Sequence, residues 1–347
     1  MRLRFTVLAM LLGLFLLSGK PLIAQIDSLI MNTGEALVGE VKELRQGVVT
    51  IETDYSDSDF KVEWDKVNYI HTERNYIIST SNGDRYHGTL ISLEGDATKV
   101  IVNDLEHGPS TVNIIDIVHL KSVDNNFLSR IDLLMSVGYT LTKANESHQL
   151  SARINAGYLS NKIAVDLYFS AVRSIQKPDS ITISTKRTEG GLGFRFFIYQ
   201  DWFALAGVEF LQSSEQKLNL RSLTKAGIGN YILNTNRMYF VLAGGAAWNY
   251  EDYNDITIED RSSAELFAAI EYNIFDIGDL DLKTSIVGYP SLTESGRFRT
   301  DYSFDLKYEF PLDFFINLGF TLNYDNMPVE GATTTDYVLQ TTFGWEL

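Results

Sequence analysis

The fold is decided by residues 298–310, Phe-Arg-Thr-Asp-Tyr-Ser-Phe-Asp-Leu-Lys-Tyr-Glu-Phe. Aromatic residues, Leu306 and Thr300 occupy every second position, and charged residues with Ser303 fill the positions between them. A period of two over this length predicts a β-strand whose faces meet opposite environments.

The same alternation recurs from residue 130 to residue 347. It predicts twelve strands, near residues 131–142, 148–159, 162–174, 183–198, 202–212, 218–230, 237–250, 262–274, 279–289, 297–310, 312–324 and 335–347. An even number of antiparallel strands, many of them long enough to cross a hydrocarbon layer at a tilt, predicts a twelve-stranded transmembrane β-barrel. The alternative is a soluble secreted β-sandwich, in which the apolar face points inward.

Aromatic residues at the strand ends favour the membrane alternative. On the predicted apolar face they form two groups, one with Tyr158, Trp202, Tyr272, Phe310, Phe314 and Trp345, and one with Tyr139, Phe210, Trp248, Tyr324 and Tyr337. Two such girdles are expected where aromatic rings meet the headgroups of a bilayer. Short connections such as Ser160-Asn161 alternate with longer loops such as 251–261, as in bacterial outer-membrane barrels.

The first 24 residues predict a secretory signal peptide. Arg2 and Arg4 give a basic start, an apolar run follows over 6–19, and Leu22-Ile23-Ala24 ends the segment before Gln25. The alternative, an N-terminal membrane anchor, needs about 20 apolar residues, more than this run contains.

Composition narrows the function classes. The chain has no cysteine, which excludes a disulfide framework and a thiolate metal site. Its net charge is −16, and removal of residues 1–24 deletes three basic residues and no acid, which gives −19. Because so acidic a chain repels phosphates, we expect no nucleic-acid partner.

Residues 25–124 contain an internal repeat. Residues 32–41 are echoed by residues 82–90 at an offset of 49, and 62–70 by 112–120 at an offset of 50. Each copy shows short alternating strands joined by Asn-Gly or Gly-Glu turns. We expect two small SH3-like β modules in the periplasm, joined by a linker at 125–129 to the barrel at 130–347.

The barrel segment resembles the YdiY-like salt-induced outer-membrane proteins. The similarity lies in the closing Thr342-Phe343-Gly344-Trp345, in the preceding Phe315-Ile316-Asn317-Leu318-Gly319, and in the twelve strands that follow a linker. The segment from Thr53 through Trp64 is also similar to the β repeats that precede the barrel in this family. The resemblance implies location and fold. No activity is assigned to the family, so no functional residue is carried over.

The face opposite the apolar one is predicted to line the barrel lumen. It carries ten acids and eight bases: Asp132, Arg153, Asp166, Arg187, Glu189, Arg195, Glu209, Arg221, Lys225, Glu265, Glu271, Asp281, Lys283, Arg299, Asp301, Asp305, Lys307 and Glu309. A selective pore usually shows a ring of one sign. The near-balance therefore favours a salt-bridged interior, with a narrow channel for ions or small solutes as the alternative.

No catalytic or metal site is predicted. A lipid hydrolase needs a serine beside a histidine base, but Ser147 and Ser151 point away from the face of His148. The acidic clusters at 54–59 and 251–260 lack the spacing of a calcium loop, and the four repeat histidines show no ligand spacing. We expect no enzyme activity and no cofactor. The expected partners are outer-membrane lipid and lipopolysaccharide, the barrel-assembly machinery and a periplasmic protein.

Overall fold

A computed structural model describes residues 26–123, 130–142, 147–176, 182–214, 217–253, 259–277, 279–310, 314–330 and 333–345. The predicted signal peptide (1–24) and linker (125–129) lie outside them. The described chain is all β apart from two short 3₁₀ turns, Trp64–Lys66 and Ile114–Asp116. Over these residues, no helix has the length and apolar character needed to cross a membrane.

The N-terminal sheet has ten strands. They are β1 (Asp27–Met31), β2 (Ala36–Arg45), β3 (Val48–Glu52), β4 (Phe60–Glu63), β5 (Val67–His71), β6 (Tyr76–Thr80), β7 (Arg85–Ser92), β8 (Lys99–Asp104), β9 (Gly108–Asn113) and β10 (Ile117–Ser122). Six of them form a closed ring in the order β1-β5-β7-β6-β10-β2, because β2 also pairs with β1. The pairs β3-β4 and β8-β9 extend from the ring as matching arms.

The repeat is present in the structure, but the two copies share one barrel. The order of elements in β1–β5 recurs in β6–β10, with one 3₁₀ turn in each copy. The copies join where β5 pairs with β7 and β10 pairs with β2. This corrects the prediction of two separate modules, because each repeat supplies three ring strands and closure needs the other three.

The core of this barrel is apolar. Leu29, Ile51, Ile70, Ile78 and Leu120 are fully buried within it. Burial of this kind supplies the main driving force for folding. The repeat partners Trp64 and Ile114 touch across it, since the Trp64 indole N–H donates to the Ile114 carbonyl at 2.9 Å.

One buried acid is part of the same core. Asp27 accepts hydrogen bonds from the backbone N–H of Val41 at 3.0 Å and of Glu73 at 2.9 Å. The hydroxyl of Tyr76, the repeat counterpart of Asp27, lies 2.7 Å from the same carboxylate. Burial and the charge of Asp27 raise the pKa of Tyr76, so the hydroxyl stays protonated and can donate.

The C-terminal sheet has twelve strands paired in chain order. They are β11 (Ile131–Thr142), β12 (Ser147–Leu159), β13 (Ile163–Gln176), β14 (Ile183–Tyr199), β15 (Trp202–Ser213), β16 (Leu218–Asn234), β17 (Met238–Tyr253), β18 (Arg261–Ile277), β19 (Leu280–Pro290), β20 (Phe298–Phe310), β21 (Phe314–Asp325) and β22 (Thr335–Trp345). Every pair is antiparallel. The predicted number of strands and their antiparallel arrangement are confirmed.

The sheet is curved, with an inner and an outer face. We define the inner face by Asp166, Arg195, Lys225, Glu265 and Arg299. Side chains on this face reach across an intervening strand, as when Arg299 on β20 binds Glu265 on β18 at 2.6 Å. Between the described residues of β11 and β22 no ladder forms, so both are edge strands.

Candidate functional site

The strand register places the predicted lumen residues on one face. Cross-strand partners lie on the same face of the sheet, and the register links all of these residues to the positions that define the inner face. They are Arg153, Asp166, Arg187, Glu189, Arg195, Glu209, Arg221, Lys225, Glu265, Glu271, Asp281, Lys283, Arg299, Asp301, Asp305, Lys307 and Glu309. Asp132 shares this face. The period of two was therefore sufficient to sort charged from apolar positions.

Neighbouring charges on the inner face are paired. The ion pairs are Lys225–Glu209 at 2.6 Å, Lys307–Glu309 at 2.7 Å, Arg195–Asp166 at 2.8 Å and Arg187–Glu189 at 3.0 Å. Most of these side chains are partly exposed, so each pair contributes little to stability. Together they cancel charge along the wall, as the balance of acids and bases predicted.

The ion pair between Glu265 and Arg299 is buried. Glu265 and Arg299 have side chains that are 0% and 6% exposed, joined by contacts of 2.6 and 3.1 Å. Ser263 donates a further hydrogen bond to Glu265 at 2.9 Å. The Arg299 guanidinium lies over the Tyr289 ring, with 5.0 Å between the guanidinium carbon and the ring centre. Tyr289 also packs with Phe267 in a small apolar cluster. The interior is therefore filled here.

Arg297 is the centre of the largest ion-pair network toward the loop end of the sheet. It binds Asp325 at 2.6 Å, Glu294 at 2.7 Å and Glu251 at 3.2 Å, and its side chain is 2% exposed. The sequence predicted none of this, because Arg297 lies in the connection before β20 and its distant partners, Glu251 and Asp325, lie near the ends of β17 and β21. The alternation places Glu251 in the acidic outer loop 251–261 and therefore predicts a solvated side chain. The structure shows it buried against Arg297, which corrects that interpretation.

Other predicted lumen residues hold neutral partners or face cavities. Glu271 accepts hydrogen bonds from Tyr239 and Asn273, and Asp305 accepts one from Asn317 at 3.1 Å. A cavity of about 300 Å³ is lined by residues that include Arg221 and Asp301. A second cavity of about 460 Å³ lies nearer the turn end of the sheet. The inner face thus holds separate small spaces among the described residues.

His148 lies on the outer face. Its Nδ1 is 2.8 Å from the hydroxyl of Tyr139, and the register places Ser147 and Ser151 on the opposite face. This arrangement lacks the serine–histidine contact that nucleophilic catalysis needs. In the described part of the chain, no three His, Cys, Asp or Glu side chains are grouped to hold a metal ion. Asp255, in the acidic outer loop, lies outside the described residues.

The N-terminal barrel is docked on the turn end of the sheet, the end where short turns join β12–β13, β14–β15 and β16–β17. Arg237 in the third turn binds Asp65 at 2.9 Å, and the Asn236 side chain donates to the Ile117 carbonyl at 2.8 Å. Lys162 in the first turn lies 3.6 Å from Glu106. Sequence separations of 56 to 172 residues put these contacts beyond any local pattern.

The second turn meets a glycine of the second repeat. Gly83 has a φ of +81°, and a Cβ at this position would lie 2.2 Å from the Gln200 carbonyl carbon. Its repeat counterpart Gly34 has a φ of +98° and nothing within 4 Å of such an atom. Next to this contact, the Arg85 guanidinium stacks on Phe197 of β14, with 3.4 Å between them. Only one of the two equivalent hairpins is therefore used for docking.

The comparisons with known proteins cover the twelve-stranded sheet. A family model described as "Protein of unknown function, DUF481" matches residues 135–346, and no curated protein matches the chain. The YdiY-like proteins that the sequence resembles are in this family, which confirms the resemblance. The match begins within β11 and includes no residue of the N-terminal barrel.

Proposed function

The chain belongs to the DUF481 family, a family of proteins of unknown function, and we propose that its twelve-stranded sheet is a transmembrane β-barrel in a bacterial outer membrane. The signal peptide at 1–24 would export the chain. The six-stranded barrel would then lie in the periplasm, against the short turns.

The outer face of the sheet is the observation that carries this proposal. Large apolar side chains cover it from β11 to β22; Val137 is 80% exposed, Ile228 55% and Phe343 68%. Soluble monomers rarely expose contiguous apolar patches larger than a few hundred Å². A hydrocarbon environment makes such a face favourable, because no water has to be ordered around it.

The positions of the aromatic residues also support the proposal. Trp202, Tyr272 and Phe310 are close to the turn end, whereas Phe210 and Trp248 are close to the loop end. Their rings would occupy the two headgroup regions. The Trp345 side chain, predicted in the first group, lies outside what the structure describes.

The two edge strands require closure in a membrane. On β11, Leu133 and Leu134 point to opposite faces and both are more than 60% exposed. An unpaired edge in hydrocarbon leaves backbone groups without hydrogen-bond partners, which costs several kcal/mol per group. We therefore propose that β11 and β22 pair with each other in the bilayer. The even strand number makes that pairing antiparallel.

For activity, we propose a structural or partner-docking role in the envelope. Among the described residues, paired charges cross the inner face and the N-terminal barrel is docked over the turn end, and both features favour this role over a wide pore. Lipid and lipopolysaccharide would surround the outer face, the barrel-assembly machinery would insert the sheet, and the exposed side of the N-terminal barrel would meet a periplasmic partner. The alternative is a narrow channel, favoured by the cavity beside Arg221 and Asp301.

Gel migration of an outer-membrane fraction tests the location. An unheated transmembrane barrel keeps its compact form in mild detergent and migrates differently from the boiled chain. We expect such a shift for the full chain. Migration that does not change with heating, or recovery of the mature chain in the soluble periplasmic fraction, would contradict the proposed barrel.

Planar bilayers separate the two roles. We expect no reproducible single-channel steps from the purified full chain. Reproducible steps whose ion preference changes in an Asp301→Ala/Asp305→Ala variant would favour the channel instead. Steps that stay unchanged in this variant would argue against the inner face as the conducting path.

A further inference from the structure

A chamber lies at the junction of the two sheets. Its volume is about 400 Å³, and its walls come from the N-terminal barrel on one side and from the turn end of the twelve-stranded sheet on the other. Basic side chains from both sides face it: Arg45, Arg85, His119, Lys121 and Arg195. No predicted function accounts for this chamber, and its existence does not depend on whether the sheet crosses a membrane.

Two polar atoms of the chamber wall lack hydrogen-bond partners. The Arg85 Nε and the His119 Nδ1 are buried, and within the described residues no atom binds either of them. Arg85 is otherwise held in place, since its Nη1 donates to the Ser79 hydroxyl at 3.0 Å and its guanidinium stacks on Phe197. A buried polar atom without a partner is costly, and a bound ion is one common explanation.

The charges in the chamber are unevenly compensated. Lys121 is paired with Asp132, and Arg195 is paired with Asp166. Arg45 and Arg85 form no ion pair among the described residues. The remaining acids near them are Glu43 in the wall and Asp201, which approaches Arg85 from the β14–β15 turn without bonding to it.

The charged groups around His119 determine the sign of the electrostatic potential in the chamber. Burial and, to a smaller extent, the charges of Arg85, Arg45 and Lys121 lower its pKa to about 4, against the opposing charge of Asp132. The other titratable groups that line the chamber are Glu43, Tyr158, Asp166, Arg195, Tyr231 and Tyr239. The space next to His119 is therefore electropositive, and an anion would be attracted to it.

We propose that this chamber binds a small oxyanion, held by Arg85 and His119 of the N-terminal barrel between that barrel and the sheet. The Arg85 guanidinium offers directional donors to oxygen atoms, as it does to carboxylates and phosphates elsewhere. His119 would add a second donor at Nδ1, as the neutral Nδ1–H tautomer near neutral pH and as the protonated ring in acid. The bound ion would strengthen docking of the two sheets by neutralising the charges that meet there.

Histidine NMR of the full chain in detergent tests this proposal with sulfate, whose charge is constant over the titration. The chain has five histidines, and a His119→Gln variant assigns the His119 signal. We expect sulfate to raise the pKa of His119 by about one pH unit or more, relative to chloride at equal ionic strength, as a nearby opposite charge does. An equal titration in both salts would overturn the proposal, leaving the chamber filled by water alone.

A matched pair of charge-removing variants provides the second readout. Arg85→Gln removes a chamber donor, whereas Lys61→Gln removes an exposed positive charge of β4 outside the chamber. We expect sulfate to raise the melting temperature of the wild-type chain and of Lys61→Gln more than that of Arg85→Gln. An equal effect of sulfate on all three proteins would identify it as general salt stabilisation and contradict a site. The wild-type NMR titration remains decisive if Arg85→Gln does not fold.

Discussion

The six-stranded barrel and the twelve-stranded sheet share one residue alternation and use it in opposite ways. In the small barrel, isoleucines such as Ile70 and Ile78 point inward and are fully buried. In the sheet, Ile270 points outward and is 44% exposed, while Glu265 and Arg299 are buried on the inner face. A period of two separates the faces of a strand. Which face is solvated depends on the medium around the whole sheet.

The largest expected effect comes from the buried charge of the sheet. In Glu265→Ala the Arg299 guanidinium stays buried without its counter-ion, which should cost about 3–5 kcal/mol of unfolding free energy. Denaturant titration of the full chain refolded in detergent measures this loss. Glu189→Ala removes one partner of the exposed Arg187–Glu189 pair and should cost less than about 1 kcal/mol. Equal losses would show that the inner face is solvated throughout.

The same substitution in the two regions sharpens the comparison. Ile78→Ala should destabilise the N-terminal barrel by about 2–5 kcal/mol, because it opens a cavity in a packed core. Ile270→Ala should cost clearly less, because a lipid or detergent chain can occupy the space that the side chain leaves. Urea unfolding of both variants in the same detergent measures the difference. A larger loss for Ile270→Ala would contradict an outer face packed only against lipid.

Acid should weaken the small barrel and its docking through His119. Its pKa in the folded chain is about 4, below its ordinary value of 6.5. The unfolded chain therefore binds the proton first as the pH falls. This contribution to stability is complete above about pH 6.5 and is lost toward pH 4, on the order of 2–3 kcal/mol. The slope of unfolding midpoint against pH should flatten in His119→Gln, and an unchanged slope would assign the acid sensitivity to other groups.

The smallest effect distinguishes the two repeats. Gly34→Ala and Gly83→Ala place a side chain at a positive φ in equivalent turns, at a cost of about 1–2 kcal/mol each. Only Gly83→Ala should also weaken docking, because its Cβ meets the Gln200 backbone. A zero-length carbodiimide link between Lys162 and Glu106, quantified by mass spectrometry, reports docking. The yield should fall in Gly83→Ala alone, and equal yields would contradict the contact at Gly83.

Much of the fold followed from local patterns. Alternation alone located the twelve strands and placed Asp301 and Arg299 on one face, because a strand turns its side chains by a fixed rule. The repeat in residues 25–124 was also visible, but its closure into one barrel was not. The repeat makes β2 and β7 equivalent in sequence. The sequence therefore does not show whether β5 pairs with β2 of its own copy or with β7 of the other copy, as it does in the structure.

The contacts that sequence reasoning missed join distant segments. Arg297 binds acids 46 and 28 residues away, and Arg237 reaches Asp65 across 172 residues. The chamber around His119 also forms only after the two sheets dock. The local sequence around a basic residue in a connection gives no sign of such partners. It can be the same whether the arginine is solvated or is buried against several acids. Periodicity describes strands well and connections poorly.

Two neighbouring alanines in the middle of β18 test the central claim, that the outer face meets lipid. Ala268 lies on the outer face and is exposed, while Ala269 lines a cavity on the inner face. Because the chain has no cysteine, Ala268→Cys and Ala269→Cys can each carry one fluorophore in lipid vesicles. We expect nitroxide-labelled lipid to quench the label at 268 strongly and the label at 269 weakly. Equal lipid quenching at both sites, or free access of aqueous iodide to the label at 268, would contradict it.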